Sequence, residues 1–427
     1  MPIDIIGACA VAVEVRKDPS AVFRDGFGLF DVNDDDQEKN VIGRDDVGTI
    51  DDLHASATKV VGLDDFGADD YREGLGVLLD SYAKDAELTP FGNKINRAFL
   101  RGALIARLLS ESAWQRFPEH AEVAIERPIF VTGLPRSGTT ALHRLLNADP
   151  AHQGLEMWLT EMPQPRPPRE SWADDPVYQR IEAGFAQHHV DHPEFMGVHH
   201  ISADQVEECW QLLRQSAMSV SYECLGYLPG YSEWLRTQDW TGAYRRHRRN
   251  LQLIGLPDKQ RRWVLKNPSH LFALDAIFEV YPDALIVQLH RDPRTIIASV
   301  CSLNEQASDG WSTEFKGEVV GSTQLDLWAR GADRFLEDRK RHNPNQFCDV
   351  YYDDFVTNPI GTTASIYEHF GLPLSNKAVA TMTALHAEST GGAARPTHRY
   401  SLADFGLSAE QVDERFATYR TQHFPGR

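Results

Sequence analysis

The stretch that decides the fold is PIFVTGLPRSGTTALHRLLNADP, from Pro128 to Pro150. It begins with an apolar run typical of a buried strand, passes through a loop from Gly133 to Thr140, and continues with leucines at helical spacing. A strand, a glycine-rich loop and a helix in this order predict a phosphate-type loop. Its backbone N–H groups would hold an anion at the start of the helix.

This loop departs from the P-loop of nucleoside triphosphatases at one position. Gly133 and Gly138 have the G-x-x-x-x-G spacing, but Thr139 stands where those enzymes have the lysine that reaches the β- and γ-phosphates. Arg136 lies inside the loop, and its planar guanidinium suits the oxygens of phosphate or sulfate. We therefore expect the loop to bind a nucleotide without splitting a triphosphate; an ordinary glycine-rich turn is the alternative.

The chain after this loop alternates between strand and helix patterns. Apolar runs at 262–266, 284–289 and 348–352 predict further strands. The helices predicted after them cover residues 271–280, 295–303 and 364–370. Such alternation indicates a parallel sheet covered on both faces. The predicted fold class is therefore α/β, with a P-loop-type parallel sheet flanked by helices.

Two further regions surround this predicted sheet. Helical spacing of apolar residues from 64 to 116 predicts an all-α N-terminal region, which we extend over residues 1–127. The remaining residues, 128–427, form the predicted P-loop-like domain. An insertion rich in aromatic and histidine residues lies around 157–262 and contains an amphipathic helix predicted over 204–221. Insertions at the carboxyl edge of such a sheet usually shape the ligand site.

The composition describes an acidic globular protein. The 427 residues contain 43 Lys and Arg against 62 Asp and Glu, which gives a net charge of −19. This charge argues against binding of nucleic acid or anionic membranes, because both rely on basic patches. Five scattered cysteines without a C-x-x-C pair favour a cytoplasmic protein without a metal site. No apolar run predicts an integral membrane segment, and a homo-oligomer is left open.

A second charged motif follows the predicted strand at 284–289. Arg291 lies at the tip of that strand, where a parallel sheet opens its ligand crevice, and Ser299 lies two turns along the next helix. Together they are placed to hold a second, separate phosphate. A surface ion pair between Arg291 and Asp292, with Ser299 merely on a helix face, is the alternative that spacing leaves open.

Four motifs follow one another in order: Gly133–Thr140, Leu265–Pro268, Tyr281–Ala284, and His290–Pro293 with Ser299. Together they resemble the sulfotransferase family that uses 3′-phosphoadenosine 5′-phosphosulfate (PAPS). The resemblance is close to the bacterial branch and similar to the protein-tyrosine branch. It implies an enzyme that moves a sulfuryl group from PAPS to an acceptor hydroxyl and leaves adenosine 3′,5′-bisphosphate (PAP).

The resemblance also implies roles for individual residues. The loop 136–140 corresponds to the segment that binds the 5′-phosphosulfate, and Arg291 with Ser299 to the pair that binds the 3′-phosphate. Lys266 corresponds to a lysine near the transferring sulfuryl group, and residues 395–400 to a segment that closes over the nucleotide. The implied nucleotide-binding residues are Arg136, Ser137, Gly138, Thr139, Thr140, Arg291, Ser299, Arg395, Arg399 and Tyr400.

The acceptor hydroxyl needs a base within hydrogen-bond reach. The protein-tyrosine branch has its catalytic glutamate about where Glu156 stands, so the implied catalytic residues are Glu156, Lys266 and Arg136. Glu207 and Glu208, on the predicted amphipathic helix, are alternatives. Further candidates are the histidines of the insertion, His188, His189, His192, His199 and His200.

The predicted acceptor is a small or lipid-like alcohol or phenol. Aromatic residues of the insertion either line its pocket or belong to the core: Trp210, Tyr222, Tyr227, Tyr231, Trp234 and Trp240. The basic run Arg245–Arg249 is interpreted as an exposed helix face. Two other functions stay open, a P-loop kinase or NTPase using ATP and a non-catalytic nucleotide-binding protein; Thr139 in place of lysine argues against the first.

Overall fold

A parallel sheet forms the centre of the computed structural model, which describes residues 44–191, 202–390 and 400–425. Its strands are β1 (Ile129–Gly133), β2 (His152–Gln153), β3 (Arg262–Lys266), β4 (Leu285–His290) and β5 (Phe347–Tyr351). They lie in the order β2-β3-β1-β4-β5, and every neighbouring pair is parallel. This arrangement confirms the predicted fold class.

Helices before, between and after the strands make up most of the remaining chain. Those up to β3 are α1 (Ile50–Val61), α2 (Arg72–Lys84), α3 (Pro90–Arg116), α4 (Thr139–Asn147), α5 (Met157–Glu161), α6 (Pro176–Asp191), α7 (Trp210–Arg214), α8 (Pro229–Arg236) and α9 (Thr241–Ile254). Those after it are α10 (Leu274–Val280), α11 (Pro293–Ala307), α12 (Glu318–Arg339), α13 (Tyr352–Thr357), α14 (Pro359–Phe370), α15 (Asn376–Thr390), α16 (Ala409–Arg415) and α17 (Ala417–His423). Within the described ranges, no helix combines the length and apolar character needed to cross a bilayer.

The two faces of the sheet are covered by different sets of helices. Ile129 and Val131 of β1 belong to a buried cluster with leucines of α4 and apolar residues of α14 and α15. Phe130 points to the opposite face and belongs to a larger cluster that includes residues from Val47 to Phe424. Alternation along a strand sends neighbouring side chains to opposite faces, so the all-apolar run of β1 is buried on both sides.

The N-terminal helices belong to the larger of these clusters. Arg107 of α3 is 1% exposed, and its guanidinium donates to the carbonyl oxygens of Phe66 and Ala68 and, at 2.9 Å, to that of Gln215 in the insertion. It also pairs with Asp70 at 2.7 Å. A buried guanidinium with this many acceptors ties distant parts of the chain together. The domain boundary at residue 128 stays a prediction.

The structure corrects two predictions for the insertion. The amphipathic helix predicted over 204–221 is wrong, because the segment before Trp210 is paired with another backbone. The N–H of Glu207 donates to the Leu155 carbonyl at 2.8 Å, and that of Met157 donates to the Gln205 carbonyl at 3.0 Å. Only α7 is helical within the predicted span, apart from isolated turns.

The interpretation of the basic run as an exposed helix face is also wrong for part of α9. Arg246 is buried and pairs with Glu111 at 2.7 Å. His247 is fully buried, and its Nδ1 lies 2.8 Å from the Tyr281 hydroxyl. Arg245, whose side chain is mostly exposed, fits the interpretation. The continuous run of basic residues does not indicate that Arg246 and His247 face inward from α9.

Candidate active site

The loop between β1 and α4 lies at the carboxyl edge of the sheet. Arg136 has φ 67° and Gly138 has φ 95°, so two of its residues adopt left-handed backbone conformations just before α4 begins. Left-handed residues beside a helix N-terminus are typical of the nests whose N–H groups bind anions. The Ser137 hydroxyl donates to the Leu134 carbonyl at 2.6 Å and closes the turn. The loop has the form that its sequence predicts.

Glycine is required where this loop leaves the sheet. Gly133 has φ 144°, and a Cβ there would lie 2.4 Å from the carbonyl oxygen of Leu289 in β4. A Cβ on Gly138 would lie 3.1 Å from the ring of Tyr352. Both positions let backbone approach its neighbours closely, which no larger residue allows without a shift.

The two predicted phosphate motifs meet across β1 and β4. Nε of Arg136 donates to Oγ of Ser299 at 3.2 Å, and Nη1 of Arg291 donates to the Arg136 carbonyl at 2.8 Å. The Arg291 guanidinium lies over Tyr352, with Cζ 3.9 Å from the ring centroid. Asp292 instead caps α11 and pairs with Arg420. Arg291 is therefore turned into the crevice, and the surface ion-pair alternative does not describe it.

Lys266 is the last residue of β3 and lies on the other side of the loop. Its side chain is 2% exposed; Nζ donates to Oγ1 of Thr140 at 3.2 Å and forms an ion pair with Oε1 of Glu208. The backbone N–H of Cys209 donates to the Lys266 carbonyl at 3.1 Å. Oε2 of Glu208 is buried and has no hydrogen-bond partner among the described residues. A cation and a half-satisfied carboxylate thus lie beside the loop.

The other two candidate glutamates have different contacts. Oε2 of Glu156 accepts from Nε of Arg166 at 3.0 Å. Arg166 is itself buried and also donates to Gln153 and Asp258, at 2.8 Å and 2.7 Å. The Glu207 carboxylate accepts from the N–H of Glu208 at 3.1 Å. Of the three, Glu208 is the one that contacts Lys266; Glu156 as the catalytic base stays a prediction.

Several sequence candidates cannot be placed relative to this site. Arg395 and Arg399 lie outside the described residues, as do His192, His199 and His200. His188 and His189 lie on α6. Tyr400 is described and is 38% exposed. Among the described residues, no group of three or more His, Cys, Asp and Glu side chains could hold a metal ion.

The sequence patterns do not identify two residues that lie next to the site. The Arg291 guanidinium lies over the ring of Tyr352. The one sequence feature that could point to this residue is the tyrosine pair at the end of the predicted strand 348–352. Arg166 binds Glu156 from a proline-rich segment that shows no pattern a sequence reader could use.

Helices α3, α5 and α7 adjoin the Glu208 side of the site. Gln211 of α7 donates to Glu161 at 2.7 Å, and burial raises the pKa of the Glu161 carboxyl. Arg214 lies over the rings of Phe99 and Tyr222, with Cζ 5.2 Å and 5.7 Å from their centroids. Tyr222, Tyr231 and Trp240 are buried in the main cluster, which favours the core alternative for them.

Comparisons with known proteins agree with this geometry. The family model described as "Sulfotransferase family" matches residues 128–376. The crystal structure of sulfotransferase STF1 from Mycobacterium tuberculosis H37Rv (type 1 form) is 60% identical, with 88% of this chain and 100% of that chain covered and a TM-score of 0.82. The crystal structure of sulfotransferase STF9 from Mycobacterium avium is 26% identical, with 89% of this chain and 98% of that chain covered and a TM-score of 0.79.

A curated relative points the same way. Omega-hydroxy-beta-dihydromenaquinone-9 sulfotransferase Stf3 from Mycobacterium bovis is 26% identical over 276 residues, which cover 61% of this chain and 67% of that protein. The family match spans more than half of the chain and contains the loop, Lys266, Arg291 and Ser299. The chain therefore belongs to the sulfotransferase family and is an enzyme that transfers a sulfuryl group.

Proposed function

We propose that this enzyme transfers the sulfuryl group of PAPS to a hydroxyl of a lipid-like acceptor and releases PAP. Sulfotransferases in general use PAPS as the donor. The observation that carries the proposal is the contact of the anion loop with Arg291 and Ser299 on one side and with Lys266, which pairs with Glu208, on the other.

In this proposal the loop and β4 divide the donor between them. The N–H groups of residues 138–140, at the N-terminus of α4, bind the 5′-phosphosulfate oxygens. Arg291 and Ser299 bind the 3′-phosphate, and the ring of Tyr352 keeps the guanidinium in place. The Arg136 side chain lies on the Ser299 side, so we assign its guanidinium to the 3′-phosphate and its backbone to the loop.

The chemical step needs charge stabilisation and a base. Sulfuryl transfer resembles phosphoryl transfer, so charge develops on the peripheral oxygens and on the leaving phosphate. Lys266 and the loop amides are placed to stabilise that charge. Glu208 takes the acceptor proton on Oε2 as the acceptor oxygen bonds to sulfur and the bond from sulfur to the 5′-phosphate oxygen breaks. Lys266 holds Oε1, which leaves Oε2 for the hydroxyl.

A lipid-like acceptor is supported by the helices beside Glu208. The partly buried ring of Phe99 offers apolar surface next to α7, and Arg214 lies over it. The name of the Mycobacterium bovis relative identifies an omega-hydroxylated menaquinone derivative as the acceptor of that protein. Cys209, Cys224, Cys301 and Cys348 are free thiols, and we place the enzyme in the reducing cytoplasm.

Donor binding can be tested by calorimetry and thermal shift with the full chain. We expect PAP to bind and raise the melting temperature without Mg²⁺, and ATP with Mg²⁺ to have little effect. Arg291→Ala should weaken PAP binding, whereas Arg245→Ala, an exposed arginine on α9, should not. A chain that is stabilised by ATP with Mg²⁺ but ignores PAP would be a kinase or NTPase, and the proposal would be wrong.

Acceptor class can be tested with radiolabelled PAPS and two sets of alcohols. We expect transfer to ω-hydroxylated isoprenoid quinones dispersed in detergent, and mass spectrometry should show one added sulfate on the product. Simple phenols serve as the comparison set. Sulfation of the phenols alone would reject the lipid-like acceptor and keep the donor assignment.

A further inference from the structure

A hydrogen-bonded chain connects α17 to β4, the strand that ends just before Arg291. Nε2 of His290 lies 2.8 Å from Oδ1 of Asp349, and Nδ1 lies 2.9 Å from the Tyr419 hydroxyl. His290 immediately precedes Arg291, so its contacts constrain the backbone at Arg291. His290 and Tyr419 are fully buried, so the bond between them is shielded from water, whereas Asp349 lies at the exposed end of the chain.

The direction of each bond in this chain can be assigned. The Asp349 carboxylate only accepts, because Arg339 holds both its oxygens and keeps its pKa low together with His290. Nε2 of His290 therefore carries the proton. Burial lowers the pKa of His290, so the ring is neutral and Nδ1 accepts from the Tyr419 hydroxyl. The Tyr419 hydroxyl therefore anchors the ring of the residue that precedes Arg291.

Helix α17 holds the neighbouring residues as well. His423 stacks on His290 with ring centroids 3.8 Å apart, and Arg420 pairs with Asp292 at 3.2 Å. The two residues that flank Arg291 thus contact the same helix. The arrangement fixes the backbone from which the Arg291 side chain reaches the Arg136 carbonyl and Tyr352.

We propose that Tyr419 is a positioning residue for the nucleotide: through the chain Asp349–His290–Tyr419 it fixes the Arg291 backbone so that the guanidinium meets the 3′-phosphate. This inference rests on the proposed role of Arg291. It assigns a function in donor binding to a helix that lies beyond the segment matched by the family model. Tyr419 itself touches no part of the donor in this proposal and acts through Arg291.

The test compares two nucleotides that differ in the 3′-phosphate. The ratio of the Kd of adenosine 5′-phosphate to that of PAP measures how much this phosphate contributes to affinity. Tyr419→Phe removes one hydroxyl, and we expect the ratio to fall by about three- to tenfold, the usual effect of one hydrogen bond. Tyr367→Phe is the matched control, since its buried hydroxyl donates to Asp149 at 2.8 Å and lies far from the loop in sequence.

Each outcome has one meaning. A wild-type enzyme that binds both nucleotides equally well would reject the 3′-phosphate role of Arg291, and with it the basis of this inference. A wild-type enzyme that prefers PAP, with an unchanged ratio in Tyr419→Phe or an equal fall in Tyr367→Phe, would overturn the role of Tyr419 alone. Should Tyr419→Phe fail to fold, Asp349→Ala removes the acceptor at the other end of the same chain, and the same fall is expected.

Discussion

At the scale of single residues, the Glu208 carboxylate is the unusual group of the site. One oxygen pairs with Lys266, and the other is buried without a partner among the described residues. An unsatisfied buried oxygen costs free energy, so folded proteins rarely keep one without a functional reason. A substrate hydroxyl that donates to it would remove that cost. Glu156 differs because Arg166 already binds it.

This difference predicts opposite effects for two matched substitutions. Glu208→Gln should lower kcat by about a hundredfold or more, because a general base typically contributes that much. Glu156→Gln should mainly lower the free energy of unfolding, by about 1 to 3 kcal/mol, because Arg166 loses a charged partner. Single-turnover rates and urea unfolding of both variants provide the measurement. If Glu156→Gln abolishes turnover and Glu208→Gln does not, the base is Glu156.

Local sequence could identify part of this site only. Arg136, Arg291 and Ser299 lie in short motifs whose spacing indicates anion binding, and the structure brings them together. The choice among glutamates could not be predicted, because it depends on the pairing of Leu155 and Met157 with Glu207 and Gln205. That pairing joins residues about fifty positions apart, so it cannot be predicted from the local spacing of apolar residues.

At the scale of elements, β1, its loop and α4 were predictable because each depends on its own residues. The strand is an apolar run, and the loop needs glycine where φ is positive. Helix α3 begins at Pro90, and the Thr89 hydroxyl caps it by accepting from the N–H of Gly92. Helix α7 is shorter than its periodicity indicates, since tertiary pairing takes the backbone before Trp210.

The loop offers a test of this local requirement. Gly138→Ala puts a Cβ on a residue with φ 95° and 3.1 Å from the Tyr352 ring, so we expect strain of about 1 to 3 kcal/mol and PAP affinity lowered about tenfold. Gly102→Ala in α3 has no heavy atom within 4 Å of the new Cβ. It should leave PAP affinity unchanged and raise stability by up to about 1 kcal/mol. Equal affinities of the two variants in calorimetry would contradict this account of the loop.

At the scale of the whole molecule, buried histidines make stability depend on pH. Burial lowers the pKa of His143 and of His247 to about 3, and that of His423 to about 4, against about 6.5 in the unfolded chain. Between these values the unfolded chain binds protons that the native chain does not. Stability is therefore lost as pH falls below about 6.5. Glu161 and Glu223, whose pKa values burial raises, oppose this effect but are fewer.

We accordingly expect the melting temperature to fall between about pH 7 and about pH 5. At the lower pH His143 and His247 each cost about 2 kcal/mol, from 1.36 kcal/mol per pH unit. Differential scanning calorimetry across this range gives the measurement. His386→Gln, at a half-exposed position on α15, should leave the curve unchanged. A melting temperature that is level or rises toward pH 5 would count against the buried, neutral histidines.

The fold class was predictable at this scale, because alternating strand and helix patterns favour a parallel sheet. The strand order β2-β3-β1-β4-β5 was not, since it depends on which side each crossover takes. The burial of Arg246 and His247 was not predictable either. Packing of α9 against α3 and β1 decides which of its charged side chains turn inward.

The apolar cluster on the Phe130 face has a practical meaning for anyone who recombines these enzymes. Helices α1 to α3, the insertion and the C-terminal helices all contribute to this cluster. The family-matched segment 128–376 would therefore expose apolar side chains on this face if it stood alone. A chimera that swaps only the family-matched segment would join two mismatched sets of side chains across that seam. A chimera designed to exchange acceptor preference between relatives should therefore transfer α1 to α3 together with the insertion.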